Sequence, residues 1–210
     1  MRLARRAFLT HAGHLAGAGA VIQPLTLSFS PERAMAAALV ENDLVRDTMN
    51  GFVALVVPGP DEYSVAQGIS TLEPGGVDAR TGDFLIGALN LSAPFVPGFA
   101  STVADILNDI ASQVNPAAAG PFLSPFARLS FAEKAAVLST MEEIDSLKSL
   151  AGVLPAIVAF ITYSEASTFD PVARTVTGQP IGWSLSNFGG VADGRNDFQG
   201  YFRHRRTARD

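Results

Sequence analysis

Five stretches of this 210-residue chain repeat apolar residues every three or four positions, and proline or glycine cuts off the first three. That period places the apolar side chains on one face of a helix and would scatter them over both faces of a strand. In 41–57 the stripe is Leu44, Val45, Met49, Phe52, Val53, Leu55 and Val56, with Asn42 as a cap and Pro58-Gly59-Pro60 as the stop. A second helix is expected over 77–89, with Phe84, Leu85 and Ala88 or Leu89 inward, and a third over 99–114 on Val103, Ile106, Leu107, Ile110 and Val114. Ser130-Phe131-Ala132-Glu133 has capping-box spacing and opens a fourth, with Val137, Leu138, Met141, Ile144 and Leu147 on one face. A fifth, over 150–165, is apolar nearly all round and reads as a central core helix, with Pro155 in its first turn or at a kink. After Thr168 the helical period stops. The fold expected is an all-α, compact domain of about five helices with a long irregular C-terminal segment, and structureless stretches of that length are usually functional or docked on something.

Composition narrows the chemistry. The chain has no Cys, and its three His, His11, His14 and His204, all lie near its two ends. A disulfide framework, thiolate metal sites and a cysteine nucleophile are thereby excluded, and a His-based triad or His-ligated metal has nothing to be built from in the body. Carboxylates, Lys, Tyr or Ser remain. Glu142, Glu143 and Asp145 fall on a polar helix face and read as solvated rather than as a glycosidase pair. Asp193 to Asp197 lacks the spacing of a calcium loop and reads as a turn. Ser130 and Lys134 sit four apart, but that Ser is the helix cap, which argues against a Ser-Lys dyad.

The chain opens with Arg5-Arg6-Ala7-Phe8-Leu9, continues through a weakly apolar Ala/Gly stretch, and reaches Ala34-Met35-Ala36. Paired arginines, a diluted apolar region and a small-x-small site make 1–36 a twin-arginine export signal, cleaved after Ala36 and leading out of the cytoplasm to the periplasm, envelope or medium. The twin-arginine route carries proteins already folded, so a chain without cofactor ligands of its own points to a partner carried along. Arg2, Arg5, Arg6 and Arg33 oppose only Glu32 in that segment, so the body beyond it is more acidic than the whole chain's net −5. An acidic body disfavours nucleic acid. The division expected is signal (1–36), one helical domain (37–202) with a docking segment at 169–202, and a basic tail (203–210).

The C-terminal segment carries Phe169-Asp170-Pro171 and then Gly182-Trp183-Ser-Leu185-Ser-Asn-Phe188-Gly189-Gly190, after a helix ending near Glu165. Leu55-Val56-Val57-Pro58-Gly59-Pro60-Asp61 and Val77-Asp78 precede it. Together these resemble the gluconate 2-dehydrogenase subunit 3 family, with its Glu-Gly-Phe-Phe-x-Asp-Pro and Gly-Trp-x-x-x-Gly-Phe-Pro-Gly stretches, in a divergent, actinobacterial-type form that lacks the family's Gly-Gly-Asn. The resemblance implies a non-catalytic small subunit that holds no cofactor, pairs with a large FAD-dependent oxidoreductase of the glucose-methanol-choline type, sometimes with a cytochrome c subunit, and supplies the export signal for both. The FAD then belongs to the partner. Phe169, Asp170, Pro171, Trp183, Phe188, Arg195, Tyr201 and Phe202 are the expected interface, aromatics and Arg being the residues that dominate interface energetics. The competing readings are a free-standing secreted hydrolase using carboxylates or Ser, and a stand-alone envelope binding protein.

Overall fold

A computed structural model describes residues 43–93, 96–165, 168–170, 172–178 and 180–186, with Phe169 described by its backbone alone. Among these residues the architecture is all-α. Helix α1 spans Asp43–Val56, the short α2 Glu62–Ala66, α3 Thr81–Ser92, α4 Phe99–Val114, α5 Phe131–Glu143 and α6 Asp145–Tyr163. A two-stranded antiparallel ribbon, β1 (Phe169–Asp170) and β2 (Thr175–Val176), and a last short helix α7 (Ile181–Leu185) complete it.

The centre of the bundle is α1, which packs against α2, α3, α4 and α6. Its Met49, Phe52 and Val53 are fully buried, and they meet Leu85, Leu89, Leu107, Ile110, Leu154 and Val158 in one continuous apolar core. Gly51 lets the chain after α4 come against this helix, because a Cβ there would lie 2.9 Å from the Cα of Ala127. The capping box of α5 is complete: the Ser130 side chain accepts from the Glu133 N–H, and the Glu133 carboxylate accepts from the Ser130 N–H. Those bonds to Ser130, with one from Asn115, hold the Glu133 carboxyl below its usual range.

Three expectations are corrected. Helix α3 begins at Thr81 rather than Val77, since Val77 to Arg80 forms a tight turn that ends with Arg80 in the left-handed region at φ 57°. Between the first two expected helices residues 62–66 form a further short helix, α2, in which the N–H of Ser64 is capped by Asp61. The fifth predicted helix starts at Asp145, so Pro155 sits in the helix interior, where it withholds the N–H that would bond four residues back. Nor is that helix the central one. Val153 is 42 % and Phe160 60 % exposed, while the opposite face, with Leu147, Leu154, Val158 and Ile161, packs into the bundle. By length and composition α6 could cross a membrane; here it is a bundle helix held against α1, α3 and α5.

The C-terminal segment is less irregular than its composition suggests. Phe169 pairs with Val176 and Asp170 with Thr175. The Asp170 carboxylate accepts from the N–H groups of Val172 and Ala173 at 2.8 and 3.0 Å, which is the turn-forming role its place before a proline predicts.

Two glycine substitutions should move stability in opposite directions. Gly51→Val forces the chain at Ala127 off α1 and should cost about 2 kcal/mol, whereas Gly152→Ala, where an added Cβ meets nothing within 4 Å, should gain up to about 1 kcal/mol. Urea unfolding of the two variants against the unaltered chain measures both.

Candidate functional site

Two regions of the bundle gather chemistry-bearing side chains, and the first is a polar lattice along one flank of α1. Asp47 and Thr48 occupy consecutive positions beside the apolar stripe and are buried. The Asp47 carboxylate accepts the Tyr63 hydroxyl at 2.8 Å on one oxygen and the Ser124 N–H at 2.8 Å on the other. Asn108 of α4 donates to the Thr48 hydroxyl at 3.0 Å and accepts from the Ser124 hydroxyl and the Phe126 N–H. These bonds fasten the long α4–α5 connection to α1 and α4, although that connection has no regular structure of its own. Every buried side-chain polar atom among the described residues has a partner.

Lys134 is the second node of this lattice. It lies on the first turn of α5 yet is fully buried, and its ammonium donates to the Gly51 carbonyl at 3.1 Å and to Gln67 Oε1 at 2.9 Å. The Phe126 ring lies 5.7 Å from Nζ, within cation–π range. Gln67 in turn donates to the Ala54 carbonyl, so the amide is locked in one orientation. Burial drives the Lys134 pKa down to about 8, against the opposing fields of Asp61 and Asp47.

Beside the lattice opens a cleft of about 310 Å³ lined by Asp43, Arg46, Asp47, Asn50 and Glu62 and by Tyr63, which stacks on Phe122 at 4.4 Å. Its groups are largely committed to one another. Arg46 pairs with Asp83 at 3.1 Å. Burial, together with the bond Tyr63 donates to Asp47, raises the phenol pKa and keeps it protonated. Among the described residues no group of three or more His, Cys, Asp or Glu is placed to hold a metal ion.

The second region is the C-terminal end of α6 with α7. Gly182 is buried with its Cα against the backbone of Tyr163, where a Cβ would come within 2.7 Å of the Tyr163 carbonyl oxygen. Leu185 reaches the main core, and Trp183 between them is half-buried. Of the residues predicted as an interface, Trp183 and Asp170 are thus placed on the stretch of chain after α6. Pro171, Phe188, Arg195, Tyr201, Phe202 and the export residues Arg5, Arg6, Phe8, Leu9, Ala34 and Ala36 lie outside the described residues, as does the side chain of Phe169. Glu142 and Glu143, which end α5, and Asp145, which opens α6, are exposed as expected, but on two helices rather than on one face. Ser130 caps its helix and Lys134 turns inward to Gly51, so the two do not form a dyad.

Sequence reading missed the buried lattice. Its signal was present as polar residues inside apolar stripes: Thr48 between Val45 and Phe52, and Asn108 between Leu107 and Ile110. No family model, no curated protein and no solved structure matches this chain.

The buried ammonium sets a pH dependence. Below pH 8 Lys134 is charged in both folded and unfolded chains, and the fold carries a cost on the order of 3 kcal/mol. Above its folded pKa it is neutral only when folded, so stability should rise from pH 8 towards 10.5. Tyr63 works the other way once the unfolded phenol ionises, near pH 10: the folded phenol keeps its proton there, so ionisation favours the unfolded chain and stability falls as the pH rises further. Subtracting the urea-unfolding profile of Lys134→Met from that of the unaltered chain cancels Tyr63 and should leave a rise between pH 8 and 10.

Proposed function

We propose that this chain is a non-catalytic small subunit and export escort for a large FAD-dependent oxidoreductase of the glucose-methanol-choline type. It binds the folded, FAD-loaded partner in the cytoplasm and supplies the twin-arginine signal on which both leave. The cofactor and the redox chemistry belong to the partner.

The observation that carries this reading is how the C-terminal segment is fastened. The residues with the strongest resemblance to the small-subunit family, Gly182-Trp183-x-Leu185, form α7, and α7 is seated on α6 through a contact that admits only glycine. A segment seated in this way presents Trp183 from a fixed base. Preorganised aromatic side chains are what docking surfaces use, because little conformational freedom is lost when they bind. The commitment of the polar lattice to internal hydrogen bonds also favours a binding role, since groups already paired with one another are poor candidates for proton transfer.

Co-expression with the flavoprotein partner tests the reading at two points. Lysine at both Arg5 and Arg6 should strand the large subunit in the cytoplasm, as read by its activity in fractionated cells. Trp183→Ala should reduce recovery of the large subunit by about tenfold or more in co-purification, while the purified variant keeps its helical circular dichroism. A large subunit that leaves the cytoplasm without the paired arginines would refute the escort role.

A further inference from the structure

The outward face of α6 is not explained by the fold. Ser149, Gly152, Val153, Ala156, Phe160 and Tyr163 all lie on it and are exposed, Phe160 at 60 % and Tyr163 at 49 %. A helix that is polar on its solvent side costs nothing; one that displays Val, Phe and Tyr there leaves apolar area in water. Gly152 sharpens the question. It sits mid-helix, where glycine costs about 1 kcal/mol relative to alanine, and nothing lies within 4 Å of where its Cβ would be. No contact among the described residues requires a glycine at that place.

Large and small residues on this face are placed at matching distances from Ala156. Four residues towards the C-terminus stands Phe160 and seven stands Tyr163; four residues towards the N-terminus stands Gly152 and seven stands Ser149. One half carries bulk and the other carries gaps at the same distances. Two such helices laid antiparallel about Ala156 put each Phe160 over the other copy's Gly152 and each Tyr163 beside the other's Ser149. A two-fold interface demands this kind of self-complementarity, because the same patch serves on both sides.

We propose that this face of α6 is a self-association surface, on which a second copy of the chain packs its own α6 antiparallel and centred on Ala156. The area sets the strength. With aromatic side chains of about 150–250 Å², the exposed parts of Phe160, Tyr163 and Val153 and their small neighbours amount to roughly 500 Å² per copy. Two copies then bury about 1,000 Å², just under the range of stable complexes, so the dimer forms reversibly at about 10–100 µM. This surface meets the Trp183 region only at Tyr163 and does not rest on the escort reading.

Sedimentation velocity of the full chain across that concentration range should show a monomer–dimer equilibrium. Phe160→Glu should weaken it at least tenfold, and so should Gly152→Leu, which fills the gap with no clash inside the monomer and keeps or raises its melting temperature. The chain is free of cysteine, so Ala156→Cys should give a disulfide-linked dimer on mild oxidation while Ala136→Cys, exposed on α5, should not. A chain that stays monomeric throughout overturns the proposal. So does a dimer indifferent to both α6 substitutions, or a dimer that appears only when the chain is ended after Ser186, which would make the chain's own end the cover of this face.

Discussion

A single buried ammonium organises the middle of this molecule. Lys134 has two hydrogen-bond acceptors, the Gly51 carbonyl and the Gln67 amide, and both are uncharged. An ion taken from water without a counter-ion in contact is costly, and the cost is bearable only when its bonds are well made. That need ties together elements far apart in sequence: α1 must leave a carbonyl accessible beside a glycine, the turn after α2 must hold Gln67 in one orientation, and Phe126 must lie flat enough to face the charge. Helix α5 packs on α4 and α6, and this bond set is what ties its first turn to α1.

The Asp47–Tyr63–Ser124–Asn108 lattice extends the same logic. The chain between α4 and α5 contains Pro116, Pro121 and Pro125 and cannot be a helix throughout, so its backbone polar groups need partners from elsewhere. Asp47 and Asn108 supply them from the two helices that flank it. Apolar packing selects an all-α bundle, and buried polar pairing decides which loop lies where. Each such pair works only in one register, and this gives the bundle one arrangement rather than several.

The helices themselves could be read from the chain because their signals are local. The α4 stripe and the Ser130–Glu133 capping box each lie within a few residues, and α4 has the bounds its periodicity predicts. What could not be read depends on distant partners. A lysine one residue after a capping-box glutamate looks like a solvated side chain, and only the approach of Gly51 and Gln67, 83 and 67 residues away, turns it inward. The α6 helix misled for a related reason: apolar residues all round imply burial on all sides, but the neighbouring elements among the described residues cover one side only. For the C-terminal segment, turn-forming residues indicated where the chain bends but not that Gly182 would seat it against Tyr163.

Gly59 and Gly75 lie backbone to backbone, so close that a Cβ on either would collide with the other. The 15 residues between them therefore form a loop closed at its neck, with α2 and Gln67 within it and Leu72, 98 % exposed, beside the neck, where Thr71 bonds back to Gly59 and Pro58. The closed neck insulates the bundle from whatever happens at that exposed position. Added length there lengthens a loop whose ends are already joined, and the entropic penalty grows only with the logarithm of its size. Residue 72 is thus a natural entry point for a reporter peptide or an inserted domain, which would leave the Lys134 bonds undisturbed.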